Sequence, residues 1–232
     1  RKHYFYPDLP KGYQITQSES PLCENGFLDL DSNKKVRIVR AHLEEDAGKT
    51  IHTLEGNALI DYNRCGAPLL EIVSAPDISS SEETLNYLKS LKEIIISTEA
   101  SDCDMEKGNL RVDLNISVMK RGSKTLGTRR EVKNMNSFRN IEKAINYEFS
   151  EQCKMLESGE AINQETLLWD DNNGVTKSIR SKEDAHDYRY FPEPDLPPLE
   201  ISNNLIDEIK AMIPELPRDI RERLFYGIGN TF

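Results

Sequence analysis

A strict alternation of apolar and polar residues marks the stretch from Asn109 to Val118. Every second residue from Val112 onwards is apolar, and the side chains between them are polar or charged: Arg111, Asp113, Asn115 and Ser117. A period of two is typical of a half-buried strand. A turn at 120–123 follows, and then a second polar set on one side of the chain: Arg129, Glu131 and Lys133. The pattern predicts an antiparallel hairpin with one apolar face and one face that carries both charge signs.

The polar face of this hairpin has two interpretations. It is either a solvated surface with cross-strand ion pairs, each contributing about 0.2–1 kcal/mol, or a site for a metal–phosphate ligand. Carboxylates hold Mg²⁺ through oxygen, and Lys and Arg bind phosphate oxygens. Because Asn115 and Ser117 stand in line with both charge signs, the pattern favours the ligand site.

Other strands follow from apolar runs between turn residues. We expect them at 27–30, 36–41, 58–63, 68–73, 162–169 and 175–179. The first two flank a turn at 31–34, the next two flank Arg64-Cys-Gly66, and the last two flank an Asn-Gly turn. The strand at 36–41 leads into His42-Leu-Glu-Glu-Asp-Ala-Gly-Lys49. Its three consecutive acids are either a solvated cluster or metal ligands at a strand end.

Helical spacing of apolar residues predicts two long helices. The first covers 79–98 and begins with a capping box, either Ser79 with Glu82 or Ser80 with Glu83. The second is capped by 136–137 and ends at Gly159. Its predicted buried face consists of Phe138, Ile141, Ala144, Ile145, Phe149, Cys153 and Leu156. A proline-rich segment at 192–198 predicts a domain boundary, after which short helices are expected at 205–213 and from Pro217.

Composition narrows the class of protein. The chain has 232 residues, 37% hydrophobic and 30% charged, and a net charge of −10. It contains no apolar run near the length of a membrane span, so no transmembrane helix is predicted. The acidic balance argues against general nucleic-acid binding, which depends on Lys and Arg. Four scattered cysteines without C-x-x-C spacing argue against a zinc site and favour a reducing compartment. Because the chain begins at Arg1, we expect it to be a fragment.

Six long motifs resemble one family, the B subunits of tRNA-dependent amidotransferases. They are RKHYFYPDLPKGYQITQ, HLEEDAGK, DYNRCGAPLLEIV, GNLRVDLNISV, EVKNMNSFRNIEKAI and HDYRYFPEPDLPPL. Together they spread over most of 1–199. The absence of a large insertion between them is similar to the bacterial and organellar type.

This resemblance implies an α+β fold. Residues 1–199 would form a glutamine-synthetase-like cradle domain with a mainly antiparallel sheet flanked by helices, and 200–232 the start of a helical domain. The resemblance also leads us to expect that the family's opening strand, with a Glu and a His that help to bind metal, and its later helical and tail domains lie outside this sequence.

The activity that the resemblance implies is repair of misacylated tRNA. ATP and Mg²⁺ would be used to phosphorylate the side-chain carboxylate of Glu on glutamine tRNA or Asp on asparagine tRNA, and glutamine-derived ammonia would then amidate it. The expected partners are the amidase of the complex (its A subunit), the small C subunit and the tRNA, without a membrane. The expected location is the bacterial cytoplasm, or alternatively a mitochondrial or plastid matrix.

The site residues combine the resemblance with the hairpin pattern. The resemblance places Glu44 or Glu45 among the metal ligands, and the polar face adds Asp113. Asp113, Glu131 and Lys133 are the catalytic candidates; Arg111, Arg129, Lys133 and Asn115 are the candidates for ATP phosphates. The candidates for the tRNA acceptor end are His186, Tyr188, Arg189, Tyr6 and Lys11. Two rival hypotheses are a non-catalytic tRNA-binding scaffold within the same complex and a ligase that acts on a free amino acid.

Overall fold

The computed structural model describes residues 1–17, 19–30, 34–53, 55–181 and 188–229. These residues form two compact units. The first contains Arg1–Asp77 with the described residues of 186–201, and the second contains those of 78–185 and 202–232. This division by contacts is a different property from the predicted catalytic and helical domains (1–199 and 200–232), which stay predictions. No helix among the described residues is long and apolar enough to cross a membrane.

The first unit is built from seven strands. In chain order they are β1 Lys2–His3, β2 Tyr13–Gln14, β3 Cys23–Asp29, β4 Lys35–Glu45, β5 Lys49–His52, β6 Ala58–Asp61 and β7 Pro68–Ser74. Three antiparallel groups result: β1 with β2, β5 with β6, and a three-stranded sheet in the order β3-β4-β7. Leu28 faces Val36 across β3 and β4, and both are buried. The long strand β4 is therefore the central strand of this three-stranded sheet.

The two strands predicted around Arg64-Cys-Gly66 are present but do not pair with each other. β6 pairs with β5, and β7 pairs with β4. The reason lies in the backbone of the turn. Gly66 donates its N–H to the Asp46 carbonyl and Asp46 donates to the Ala67 carbonyl, both at 2.8 Å. These bonds carry the chain to the end of β4, so it does not fold back onto β6.

The second unit contains four strands and four helices. They are α1 Ser81–Ser97, β8 Val112–Ile116, β9 Arg130–Met135, α2 Phe138–Ser158, β10 Glu165–Asp170, β11 Val175–Ser181, α3 Asn203–Met212 and α4 Pro217–Gly229. The sheet order is β11-β10-β9-β8. Only the β9–β10 pair among these four strands is parallel. The α+β prediction is confirmed, and the glutamine-synthetase-like cradle remains a prediction.

Capping residues fix where the two long helices begin and end. Ser80 accepts the N–H of Glu83 at 3.1 Å, and Ser137 accepts that of Asn140 at 3.2 Å. Each hydroxyl satisfies an amide that the first helical turn leaves without an intrahelical partner. Gly159 ends α2 in the left-handed region, with φ of 82°, which glycine adopts without steric cost. The predicted start of each helix is confirmed at the second of the two candidate caps.

The buried face of α2 differs from the predicted one. Ile141 and Ala144 are buried as expected, but Phe149 is 57% exposed and Leu156 is 48% exposed. Polar residues take the inward positions instead: Asn140, Glu148 and Gln152. The helix is rotated because these side chains find hydrogen-bonding partners that lie far away in the sequence, which periodicity cannot show.

The loop that joins β8 to β9 depends on one close approach. A Cβ at Gly127 would overlap the Val118 carbonyl oxygen, well inside van der Waals contact. Only glycine fits there without moving the backbone. The loop can therefore return to Arg129 and Arg130 along this path only with glycine at 127.

We predict that Gly127→Ala destabilises the fold by about 1–3 kcal/mol, because the added methyl group must displace backbone atoms. Urea unfolding followed by circular dichroism measures the change. Gly26→Ala is the matched control, since its Cβ would meet Ile38 Cβ at an ordinary 3.6 Å. Equal unfolding midpoints for both variants would contradict the packing described for Gly127.

Candidate functional site

The strands of the second unit bring the predicted polar residues onto one face of the sheet. Asn115 lies directly opposite Glu131, and buried Leu114 lies opposite buried Val132 on the other face. The Nζ atom of Lys133 is 2.9 Å from Asp113 Oδ2 and 3.3 Å from Glu131 Oε1. We call Asp113, Asn115, Glu131, Lys133 and Thr166 the polar face. The predicted antiparallel hairpin is confirmed.

The neighbouring strand β10 completes the polar face with a residue that the sequence pattern missed. Thr166 pairs with Glu131 across the parallel β9–β10 ladder. Its hydroxyl donates to Glu131 Oε2 at 3.1 Å. The Glu131 carboxylate therefore accepts a hydrogen bond from the Thr166 hydroxyl and pairs with the Lys133 ammonium. These two contacts fix its orientation on the sheet.

The charge state of Lys133 follows from its surroundings. Partial burial alone would lower the pKa of the ammonium, but Asp113 and Glu131 outweigh it and raise the pKa above its usual value. Lys133 is therefore a cation at neutral pH. That state suits it to neutralise anionic oxygens, and makes it unsuited to act as a general base.

The two arginines predicted to bind phosphate lie at strand ends. Arg111 immediately precedes β8 and Arg129 immediately precedes β9, and both are exposed. Arg130, the first residue of β9, is opposite Ile116, and its guanidinium points to the helix-covered side of the sheet, near Glu148 of α2.

A second group of functional side chains lies in the first unit. Antiparallel pairing of β4 with β7 sets His42 opposite Glu71, and Glu44 follows two residues later on the same side of β4. The His42 Nε2 atom is 3.2 Å from Glu44 Oε1 and 3.9 Å from Glu71 Oε2. Each residue offers one potential ligand atom, and these atoms lie within 4.8 Å of one another. We call these three residues the His42 cluster.

The donors of the His42 cluster fit a divalent cation. Two carboxylates among three donors favour a hard ion such as Mg²⁺ or Mn²⁺. His42 is 1% exposed, and its other ring atom, Nδ1, has no hydrogen-bond partner among the described residues. Nε2 is the ring atom that faces the carboxylates, as its distances to Glu44 and Glu71 show. Across the part of the chain that the structure describes, this is the only group of three potential ligands so placed.

The structure separates the two acids that the sequence left as alternatives. Glu44 Oε1 accepts the Thr16 hydroxyl at 2.8 Å and lies 3.6 Å from Lys2 Nζ. Glu45 instead accepts the backbone N–H of Ile15 at 2.8 Å and forms an ion pair with Lys11. Glu44 is a member of the His42 cluster and Glu45 is not. Asp113, the other metal candidate, is a residue of the second unit.

Cations and aromatic rings surround Glu44 and Glu45 in the first unit. The Lys2 ammonium lies 5.3 Å from the centre of the Tyr188 ring. The Tyr188 carbonyl accepts the N–H of His3 at 2.8 Å, so the segment that contains Tyr188 is attached to β1. Arg189 follows with a φ of 46°, a conformation that non-glycine residues rarely adopt.

Four of the five acceptor-end candidates are described residues of the first unit: Tyr6, Lys11, Tyr188 and Arg189. Lys11 contacts Glu45, and Tyr188 neighbours Lys2 beside Glu44. Tyr6 stacks edge-on against Tyr4 at 5.1 Å, and Tyr4 in turn hydrogen-bonds to Asp8 within the same opening segment. His186 lies outside the described residues.

Sequence reasoning missed His42, Glu71 and Thr166. A signal for the first was present, since His42 and Glu44 are two residues apart on a predicted strand and must share a face. No local pattern identifies Glu71 or Thr166, because both reach their partners only through strand pairing.

Comparison with known proteins identifies the family of the chain. The profile of the GatB/GatE catalytic domain matches residues 1–207. The chain belongs to this family. The match covers both the His42 cluster and the polar face.

Similar proteins are named as the B subunit of aspartyl/glutamyl-tRNA(Asn/Gln) amidotransferase. The one from Caldicellulosiruptor bescii is 55% identical over 99% of this chain and 48% of its own length. The one from Myxococcus xanthus is 54% identical over 99% of this chain and 49% of its own length. The chain spans about half the length of the curated relatives it matches.

We predict that Glu44→Gln lowers the affinity of the chain for Mn²⁺ by at least about tenfold, because a neutral amide replaces a carboxylate ligand. Isothermal titration calorimetry measures the affinity, with Mn²⁺ as a probe that shares the oxygen preference of Mg²⁺. Glu24→Gln is the control, since Glu24 is an exposed acid in the same sheet. Unchanged Mn²⁺ affinity in Glu44→Gln would exclude the His42 cluster as the metal site.

Proposed function

We propose that this chain is the activating part of the B subunit of an aminoacyl-tRNA amidotransferase. Its substrate is a tRNA that carries Glu or Asp in place of Gln or Asn, and its reaction is ATP-dependent phosphorylation of the side-chain carboxylate. Ammonia released from glutamine by the amidase, the A subunit of the complex, then displaces the phosphate. The small C subunit completes the heterotrimer, and the reaction takes place in the cytoplasm.

The observation that carries the proposal is the polar face of the second unit, on a chain that belongs to the GatB/GatE catalytic domain family. Phosphoryl transfer needs positioning and charge neutralisation more than it needs a nucleophilic side chain. Lys133, held between two carboxylates, supplies a cation in a defined place. The name shared by the relatives, which describes them as part of an amidotransferase, supports the choice of an amide-forming reaction.

The individual roles follow from the contacts. Lys133 neutralises phosphate oxygens as charge develops on them. Arg111 and Arg129 precede the antiparallel strands β8 and β9 and so lie at opposite ends of the hairpin, where each offers a further cation. Asp113 and Glu131 orient the ammonium, since both lie within 3.3 Å of it. Asn115, directly opposite Glu131, offers an amide that can donate to an anionic oxygen or accept from a hydroxyl.

The metal requirement falls to the His42 cluster. A divalent cation bound there would supply a concentrated positive charge within the first unit. Glu44 is held in place by Thr16 and by Lys2, so the carboxylate is oriented before any ion binds. The cations and aromatic rings nearby, including Lys11, Tyr6, Tyr188 and Arg189, suit the phosphates and bases of an acceptor end.

Two variants of the polar face test the proposal in the full-length protein assembled with its partners. Asp113→Asn and Lys133→Met are each expected to reduce ATP-dependent amidation of mischarged tRNA by about 100-fold or more, because a preorganised charge at the reacting phosphate is lost. Glutaminase activity and assembly are expected to persist. The ion pair is partly exposed, and such pairs contribute about 1 kcal/mol or less to stability.

Lys143→Met and Asp171→Asn provide matched controls. These residues form a similar exposed pair, 3.2 Å apart, in the same unit. Both control variants should amidate at the wild-type rate. Wild-type amidation by Asp113→Asn and Lys133→Met would exclude the polar face from the reaction and favour a scaffold role for this chain.

A further inference from the structure

The covered side of the four-stranded sheet is polar at one end. Glu148 and Gln152 of α2 are both 0% exposed, although ionisable and amide side chains are rarely fully buried without partners. They lie one helical turn apart, and Gln152 Nε2 donates to Glu148 Oε2 at 3.2 Å. The reaction proposed above uses neither of them, because they lie on the opposite side of the sheet from the polar face.

The two buried residues contact the sheet at several strands. Gln152 Nε2 also donates to the carbonyl of Ile116, the last residue of β8, at 3.3 Å. The hydroxyl of Thr176 in β11 donates to Glu148 Oε1 at 2.5 Å. The helix is thereby attached to both edge strands of the sheet.

Arg130 connects the helix to the two inner strands. Its Nη1 atom lies 3.6 Å from Glu148 Oε2, and its Nη2 atom lies 3.7 Å from Glu165 Oε2. Arg130 is the first residue of β9 and Glu165 the first of β10. All four strands therefore meet one buried network, which we call the Glu148 network: Arg130, Glu148, Gln152, Glu165 and Thr176.

On β8, β9 and β10, the residue that contacts this network is adjacent in sequence to a residue of the polar face. Ile116 follows Asn115, Arg130 precedes Glu131, and Glu165 precedes Thr166. Because successive residues of a strand point to opposite sides, fixing one set on the covered side fixes the other set on the open side.

The apolar pattern of β9 cannot fix this register alone. The two buried apolar residues of β9, Val132 and Met135, are three residues apart and so do not alternate with period two. A slip of one residue would turn Glu131 and Lys133 towards the helix. The ladders already contain irregularities between Val112 and Leu114 and between Thr166 and Leu167. Something other than hydrophobic alternation must specify the pairing.

We propose that the buried Arg130–Glu148 pair is a positioning device that sets the register of β9 and so holds Glu131 and Lys133 on the polar face. The expected effect of this pair on kcat rests on the proposed function. The expected effect on the register of β9 does not. Arg130 and Glu148 act through the strand and touch no substrate.

The energetics separate positioning from simple stabilisation. A buried ion pair often contributes little net stability, and replacement of both partners by apolar residues of similar volume can be neutral or stabilising. Here the Arg130 Nε and Gln152 Oε1 atoms also have no hydrogen-bond partner among the described residues. A positioning role therefore predicts that stability and activity change independently when the pair is replaced.

The first experiment reads the register directly. In the full-length complex, cysteines replace Asn115 and Glu131, which lie directly opposite each other and come within reach of a disulfide or a short thiol cross-linker. Mass spectrometry identifies the cross-linked peptide. The cross-link should form in the otherwise wild-type background and fall at least fivefold when Arg130→Met and Glu148→Leu are present together.

The second experiment uses the same double variant without added cysteines. We expect a melting temperature equal to or above that of the wild type, intact assembly, and an amidation kcat about 100-fold lower, since misplacement of a reacting group by about 1 Å can have an effect of that size. Glu151→Gln is the control, because Glu151 is a half-buried acid on α2 that pairs with Lys154. It should match the wild type in every measurement.

A single variant keeps the test decisive if the double variant does not fold. Glu148→Gln retains the volume but removes the charge that faces Arg130. Its amide oxygen can still accept from Gln152, and the Thr176 hydroxyl can rotate to accept from the new amide N–H. It should also lower both the cross-link yield and kcat. Full cross-linking with wild-type kcat, in whichever variant folds, would overturn the positioning role.

The two proposals fail in distinguishable ways. If the proposed function is wrong, the wild-type complex shows no ATP-dependent amidation, while the cross-link still depends on Arg130 and Glu148. If the positioning role is wrong, amidation proceeds and neither the cross-link nor kcat responds to the pair. A merely structural role would make kcat follow the melting temperature. Both would then fall in Glu148→Gln, and both would recover in the double variant.

Discussion

The second unit depends on the register in which β9 pairs with its two neighbours. That single alignment places Glu131 and Lys133 on the open side of the sheet and Val132 on the covered side. It also brings Asp113 of β8 and Thr166 of β10 to the same cation and carboxylate. A strand has a period of two residues, so a slip of β9 by one residue would turn its polar-face side chains to the covered side.

Strand pairing brings charged side chains together in both units, but the partners differ. In the first unit, antiparallel pairing of β4 and β7 gathers His42, Glu44 and Glu71, and the opening segment supplies Thr16 and Lys2 as further partners of Glu44. In the second, oppositely charged residues of neighbouring strands hold one another. The first arrangement suits a bound cation, and the second suits an anionic ligand.

Local patterns in the sequence predicted the parts that depend on local physics. The hairpin of β8 and β9 followed from alternation, and the ends of α1 and α2 followed from Ser80, Ser137 and Gly159. The β8 part of the polar face was predictable because Asp113 and Asn115 alternate with apolar residues along that strand.

Non-local contacts decided the rest. Glu148 and Gln152 look like surface residues of α2, yet they are buried because Arg130 and Thr176 come from other strands to meet them. Phe149 was expected to be buried because it falls on the apolar stripe of the helix, but it is exposed. The partnership of His42 with Glu71 needed the β4–β7 register, which the apparent turn at 64–66 obscured.

The most direct measurement is release of phosphate from γ-labelled ATP by the full-length protein in complex with the proposed amidase and small partner subunits, with and without mischarged Glu-tRNA. If the chain activates the side-chain carboxylate on tRNA, release requires the mischarged tRNA and Mg²⁺. Release that is indifferent to the tRNA would point to a ligase acting on a free amino acid, and no release from a folded complex would leave this chain as a scaffold. Either of the last two results would contradict the proposed function.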